Sequence, residues 1–186
     1  MMNKIHYLLD KNENKLLPFQ YYNKFNLISL PADGKRVLIP NWPNKDHTVV
    51  PEYINLNTCL LTGESNNLTI LDFDITDNGM EYYKEFKEVK TTTVLTSSGG
   101  VHLYFKYNPN IPSMNRLIDE NGNKIGIDIK NDKSIVIAPP SKINDKLYKF
   151  KKGRSFNDIR PIKMPKWVEN FILEHMKEST KKKYFK

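Results

Sequence analysis

The chain has 186 residues, 39% of them hydrophobic and 27% charged, which suits one well-buried core with a short appendage and excludes a disordered chain. Its single cysteine, Cys59, excludes an internal disulfide and a multi-cysteine zinc site, and no apolar run approaches the roughly 18 residues that span a bilayer. The net charge of +8 is lopsided: residues 142–186 hold 14 Lys or Arg against 5 Asp or Glu, whereas residues 1–141 hold 15 against 16. A neutral body with a basic end fits either a polyanionic partner, nucleic acid being the commonest, or a solvating tail. The first ten residues are too polar for a secretory signal, so a soluble protein of a reducing compartment is expected.

Along the chain, Leu16, Leu17, Phe19, Tyr22 and Phe25 fall at near-helical spacing within residues 12–26, although Pro18 argues for a late start or a break. Residues 26–30 read as a short strand, followed by a turn at Asp33-Gly34 and a second apolar run over 37–39 that ends at Pro40. Residues 58–62 and 68–75 are apolar and β-branched, separated by the polar turn 63–67. Residues 77–89 have helical character, with Met80, Tyr83 and Phe86 on one face. Residues 91–96 and 101–107 pair around Ser97-Ser98-Gly99-Gly100, and a long polar loop covers 108–123. Shorter strands are expected at 125–130, 134–138 and 147–150, and a helix near 165–178 carries Trp167, Phe171, Ile172 and Met176. This order of elements predicts an α+β sandwich, with a body over residues 1–150 and a basic extension over 151–186. Cys59, in an apolar run, reads as a buried small hydrophobe.

The segment Thr69-Ile70-Leu71-Asp72-Phe73-Asp74-Ile75 carries two carboxylates two residues apart in an apolar strand, so both leave the same face. Either the pair holds a hard divalent cation, which offsets two crowded like charges, or both side chains reach solvent at a strand end. Asp128, in Ile125-Gly126-Ile127-Asp128-Ile129-Lys130, is a third strand carboxylate, open to the same two readings. Three such groups can hold two metal ions about 3.5–4 Å apart for an in-line phosphoryl displacement. Gly99 and Gly100 permit a tight turn or a close backbone approach, and N–H groups there, beside Ser98, can cradle phosphate. His102 opens the next strand, where it is either a donor to a triphosphate or a structural histidine. Lys130 shares a face with Asp128. Lys181, Lys182 and Lys183 follow the last helix and are expected to be exposed and mobile, free to touch nucleic-acid phosphates.

Taken in order, these segments resemble the archaeo-eukaryotic primase superfamily, in particular its bifunctional primase–polymerase branch. That family carries a strand with Asp-x-Asp, a Ser-x-His-like segment and a strand with a single Asp. Here these are Asp72 with Asp74, the run Ser98-Gly99-Gly100-Val101-His102, and Asp128. Flanking features also fit: Leu30-Pro31 with Gly34-Lys35-Arg36 and Trp42, Thr62-Gly63, Ala138-Pro139-Pro140-Ser141, and Pro165-Lys166-Trp167. The resemblance implies an archaeo-eukaryotic primase fold with an RRM-like catalytic half and mixed β-sheets flanked by helices. It implies Asp72, Asp74 and Asp128 as ligands of two Mg²⁺ or Mn²⁺ ions and His102 as a contact of the nucleotide, to which the reading of the residues above adds Ser98, Gly99, Gly100 and Lys130. Some relatives carry a cysteine-based zinc stem, which a chain with Cys59 alone cannot, so no zinc is expected. One departure stands out: the stretch after Asp128 is usually glycine-rich, and here it reads Asn131-Asp132-Lys133-Ser134.

The implied activity is template-dependent nucleotidyl transfer, DNA priming or primer extension, in the replication of a virus, phage or plasmid. The implied partners are a DNA template, single-stranded by expectation, nucleoside triphosphates, and a replicative helicase acting in trans or fused downstream. The chain contains no Gly-x-x-x-x-Gly-Lys-Ser/Thr loop of its own. No membrane is involved in this reading, and the expected location is the cytoplasm of a bacterium or infected host cell. Two alternatives are a replication-initiator endonuclease, which lacks its second histidine here because His102 is followed by Leu103 and Tyr104, and a non-catalytic nucleic-acid-binding module.

Overall fold

The computed structural model describes residues 57–176, Phe25, Lys35 and residues 41–43, together with the backbone alone of 177–184, Tyr7–Leu9, Lys15–Pro18, Leu27–Leu30 and residue 44. Among the described residues, twelve strands and two α-helices follow in this order: β1 (Tyr7–Leu9), β2 (Lys15–Pro18), β3 (Leu27–Leu30), β4 (Asn57–Leu61), β5 (Leu68–Phe73), α1 (Gly79–Phe86), β6 (Thr93–Leu95), β7 (Val101–Lys106), β8 (Ile127–Lys130), β9 (Ile135–Ala138), β10 (Lys142–Ile143), β11 (Lys146–Leu147), β12 (Lys149–Phe150) and α2 (Lys166–Tyr184). The α+β reading holds. The strand pairs are antiparallel, with one parallel bridge between Phe105 and Ile162.

Two larger sheets build the body: β12-β6-β7-β5-β8, and β3-β4-β9. Strand β5 lies between β7 and β8 and is apolar on both faces for most of its length, because both faces are covered. Ile70, with Val94 of β6 and Tyr104 of β7, joins Cys59, Leu60 and Val136 of the smaller sheet in one core. Leu71 and Phe73 point the other way and join Leu103, Phe105, Ile127 and Ile129 in a second core. Phe86 of α1 and Val168 and Ile172 of α2 close that core, each with no accessible surface. Each such side chain contributes about 1.5–3 kcal/mol on burial, so the second core sets the position of β5 firmly. Cys59 is fully buried, as its apolar neighbours imply.

Three expectations change. Within residues 12–26, Lys15–Pro18 is a strand rather than helix and pairs with Tyr7–Leu9. Pro18 has no N–H for a helical ladder but is tolerated at the end of a two-stranded ribbon. The run 37–39 lies outside the described residues. The last helix continues to Tyr184, so Lys181, Lys182 and Lys183 sit in its final turn rather than in a mobile tail, and their side chains lie outside the described residues. The strand expected at 147–150 is split into two short pieces, β11 and β12.

The polar segment 108–123 is held down over much of its course. Met114 exchanges two backbone hydrogen bonds with Ile129, and Leu117 donates to Ile127 at 2.9 Å. Ile111 and Leu117 are fully buried. The buried Asn131 side chain fastens the start of the segment: its amide donates to Asn108 and Ile111 carbonyls, and its oxygen accepts from Thr69 Oγ1. No described helix is long and apolar enough to cross a membrane.

Candidate active site

Strand register assembles the site. Asp72 on β5 is the direct cross-strand partner of His102 on β7 and of Asp128 on β8. Directly opposed residues share a face with Cβ atoms about 4.5–5.5 Å apart, so His102, Asp72 and Asp128 form a row across three strands. The same alternation puts Lys130 on that face, and Asp74 extends it beyond the end of β5. It is the face that carries Ile70 and Tyr104 into the first core, so one surface passes from apolar packing to a charged row within a few residues.

Asp74 is positioned by backbone packing. Its N–H donates to the Gly126 carbonyl, and the Gly126 N–H donates to the Asp77 carbonyl, both at 2.8 Å. A Cβ on Gly126 would collide with the Thr76 carbonyl oxygen and the Gly79 backbone, so this seat for the turn after β5 requires glycine.

Each carboxylate has its own cation or donor. Asp72 Oδ1 lies 3.4 Å from His102 Nε2, a contact longer than a good hydrogen bond. Asp128 Oδ2 pairs with Lys130 Nζ at 2.7 Å, while its Oδ1 accepts the Arg116 backbone N–H at 2.8 Å. The Arg116 guanidinium reaches Asp74 at 2.9 Å, Asp77 at 3.5 Å and Thr76 Oγ1 at 3.0 Å. Its Nη1, although 2.9 Å from Asp74 Oδ2, makes no aligned hydrogen bond there.

These neighbours split the acidities of the Asp-x-Asp pair. Burial pushes the Asp72 carboxyl up, but the close approach of His102, with Lys130 and Arg116, outweighs it and leaves the group below the usual carboxylate range. Burial and the Asp72 charge push the Asp74 carboxyl above that range; Arg116 opposes the shift and Asp128 adds to it. Among the described residues no three acidic, histidine or cysteine groups converge at metal-ligand distance, because each carboxylate is drawn towards its own partner. The donor set itself suits a hard divalent cation: three carboxylates on one face of adjacent strands.

The turn before β7 is compact. Thr96 accepts the Gly100 N–H on its hydroxyl and the Gly99 N–H on its carbonyl, at 2.8 and 3.2 Å. Both glycine N–H groups are thus bonded inside the turn. Gly100 permits close approach, since a Cβ there would strike the Phe73 carbonyl oxygen. Ser98 is exposed at the tip. His102 is buried, and its Nδ1 has no hydrogen-bond partner among the described residues.

The site gains two residues that sequence reasoning missed. Arg116 sits in the polar loop with φ +59°, and its signal was that it is the loop's sole basic residue. Tyr148 lies beside His102, its ring tilted by 46° with 6.0 Å between ring centroids. Burial pushes its hydroxyl up, a Ser97 hydrogen bond pulls it back, and the charges of Asp72 and Asp74 raise it further. At the departure after Asp128, Lys133 takes φ +56°, the conformation that glycine adopts without cost, and Asp132 accepts from the Glu64 N–H and the Tyr107 hydroxyl. The turn is built without glycine.

No curated protein matches the chain. A family model described as bifunctional DNA primase/polymerase, N-terminal, matches residues 20–167, a span that includes every strand residue of the charged row. The chain therefore belongs to the bifunctional DNA primase/polymerase N-terminal family, whose activity is of the DNA primase/polymerase type.

Proposed function

We propose that the chain is a template-dependent nucleotidyltransferase that primes or extends DNA, with Asp72, Asp74 and Asp128 as the ligands of two divalent cations, Mg²⁺ or Mn²⁺. The observation that carries this reading is the register of β5, which sets Asp72 directly between His102 and Asp128 on one face. When bound, the ions would stabilise the attacking and leaving oxygens of an in-line phosphoryl displacement. The chain's own residues do the rest. Asp72 and Asp128 hold the ions from a rigid sheet, which fixes geometry better than a loop would, and Asp74 from the close-packed turn at the end of β5. His102 and Lys130 lie on the carboxylates' face, where His102 donates a hydrogen bond to a triphosphate and Lys130 supplies positive charge, with the Ser98 hydroxyl nearby. The turn through Gly99 and Gly100 brings Ser98 close to the end of β5. Residues 1–150 carry the chemistry, and the basic stretch 151–186 meets the DNA template through Lys181, Lys182 and Lys183.

A replication-initiator endonuclease is disfavoured, because such enzymes pair two histidines on one strand for the metal, and the position two residues after His102 is the buried Tyr104. A passive binding module has no use for three carboxylates around a buried histidine. The test is incorporation of labelled nucleotides on primed and unprimed single-stranded templates, with Mg²⁺, Mn²⁺ or EDTA. Metal-dependent product from the wild type and none from Asp128→Asn is the expected result. Equal incorporation by Asp128→Asn ends the carboxylate assignment.

A further inference from the structure

Arg116 is unusual in touching two of the three carboxylates by different parts of the residue. Its backbone N–H is fixed on Asp128 Oδ1 at 2.8 Å, and its guanidinium lies on Asp74 Oδ2 at 2.9 Å. The first contact is anchored by the Met114 and Leu117 backbone bonds to β8 on either side, so the main chain here is held. The second is made by the side chain alone. Its ion pair to Asp74 lacks an aligned hydrogen bond, and the partner side chains retain 25% and 36% of their exposure. Pairs of that kind are weak. The two further contacts, to Thr76 and Asp77, park the guanidinium beside the carboxylates rather than lock it in.

We infer that Arg116 is a built-in competitor for the divalent cation at Asp74, a side chain that neutralises the acidic row between loadings and must leave for the ion to bind. The inference rests on the carboxylate reading above and adds a positioning residue to it. It reverses the effect that a merely structural arginine would have. Removing a structural support loosens the ligands and weakens metal binding; removing a competitor strengthens it. Because the backbone N–H, not the side chain, orients Asp128, a substitution takes away the competitor and leaves that ligand in place.

The measurement is Mn²⁺ affinity of the full chain by calorimetry, without nucleotide or DNA, for the wild type, Arg116→Gln, Asp72→Asn and Asp74→Asn. Arg116→Gln is expected to bind Mn²⁺ about two- to fivefold more tightly, the yield of losing one partly exposed ion pair. It should also melt at a lower temperature than the wild type in EDTA and gain more from added Mn²⁺. Should Arg116→Gln fold poorly, Arg116→Gly removes the same charge and suits the positive φ at this position. Affinity unchanged or weakened in the arginine variants, with wild-type binding still dependent on Asp72 and Asp74, overturns the competitor and leaves the carboxylate reading standing. Wild-type affinity retained by both aspartate variants overturns the carboxylate reading, and the competitor with it.

Discussion

The two faces of the five-stranded sheet are made from the same strands and behave as different materials. On one face Leu71, Phe73, Leu103, Phe105, Ile127 and Ile129 are sealed beneath α1 and α2, and no charge enters. On the other, Ile70 and Tyr104 are sealed by the smaller sheet, but one pair further along β5 and β7 the cover ends and Asp72 and His102 stand in their place. The helix-covered face gives the strands their fixed register. The other spends that register on a row of charges whose spacing no loop would hold. Rigidity and chemistry are thus divided between alternate residues of a single strand.

Adjacent residues of β5 allow the sharpest contrast. Asp72→Asn should lower nucleotide addition by about a thousandfold or more, since loss of a metal ligand forfeits several kcal/mol of transition-state stabilisation. The protein should remain folded by circular dichroism. Phe73→Ala should do the converse: a cost of about 3–5 kcal/mol in denaturant unfolding for a fully buried phenyl ring, with activity per folded molecule largely kept at low temperature. If Asp72→Asn unfolds the chain, or Phe73→Ala silences it while folded, the faces are not separable.

The seat of Asp74 tests how far the divide depends on backbone contact. Gly126→Ala places a methyl group against the Thr76 carbonyl and the Gly79 backbone, neither of which can rotate away. Overpacking of this kind costs about 1–3 kcal/mol. Because the strain falls on the turn that carries Asp74, Thr76 and Asp77, activity should fall by more than the loss of folded protein explains. Parallel losses in both would mean that the close approach serves stability alone.

Much of this was legible in the sequence, for a physical reason. Period-two alternation makes Asp72 and Asp74 share a face whatever the rest of the fold does, and Asp128 and Lys130 obey the same rule. His102 was visible as a strand opener after a glycine turn. Arg116 was not visible in that way, because residues 108–123 have no period: Pro109 and Pro112 interrupt the segment, and its course along β8 is set by long-range contacts of Asn131 and by buried Ile111 and Leu117. The opposite acidity shifts of Asp72 and Asp74 were equally hidden, since they depend on burial and on which charges lie nearest in space. Residues 15–18 misled because two leucines fit a helix and a strand equally well, and only pairing with Tyr7–Leu9 decides.

The smallest effect concerns the two carboxylates themselves, which the sequence treats as equivalent and their surroundings do not. Asp72 is held below the usual carboxylate range, burial being outweighed by His102, Lys130 and Arg116, so its ionised form stabilises the native state. That contribution is present above the unfolded value of about 3.9 and is lost as pH falls through the lower folded value. Asp74 is held above the range by burial and by Asp72, so its ionised form costs stability. That cost is absent while the group is protonated in both states, grows as pH rises from about 3.9 through the raised folded value, and is complete above it. In EDTA at pH 7, Asp72→Asn should therefore lower the melting temperature and Asp74→Asn raise it. The Asp74→Asn gain should be no more than about 1 kcal/mol, since the group is partly exposed and screened, which is a shift of about 2–4 °C in a chain of this size. Near pH 3 the Asp74→Asn gain should vanish, while the Asp72→Asn deficit shrinks only as far as Asp72 itself has taken up its proton. Melting curves between pH 3 and 8 for the two variants decide it: shifts of the same sign at neutral pH would mean that the pair responds to shared repulsion, not to separate partners.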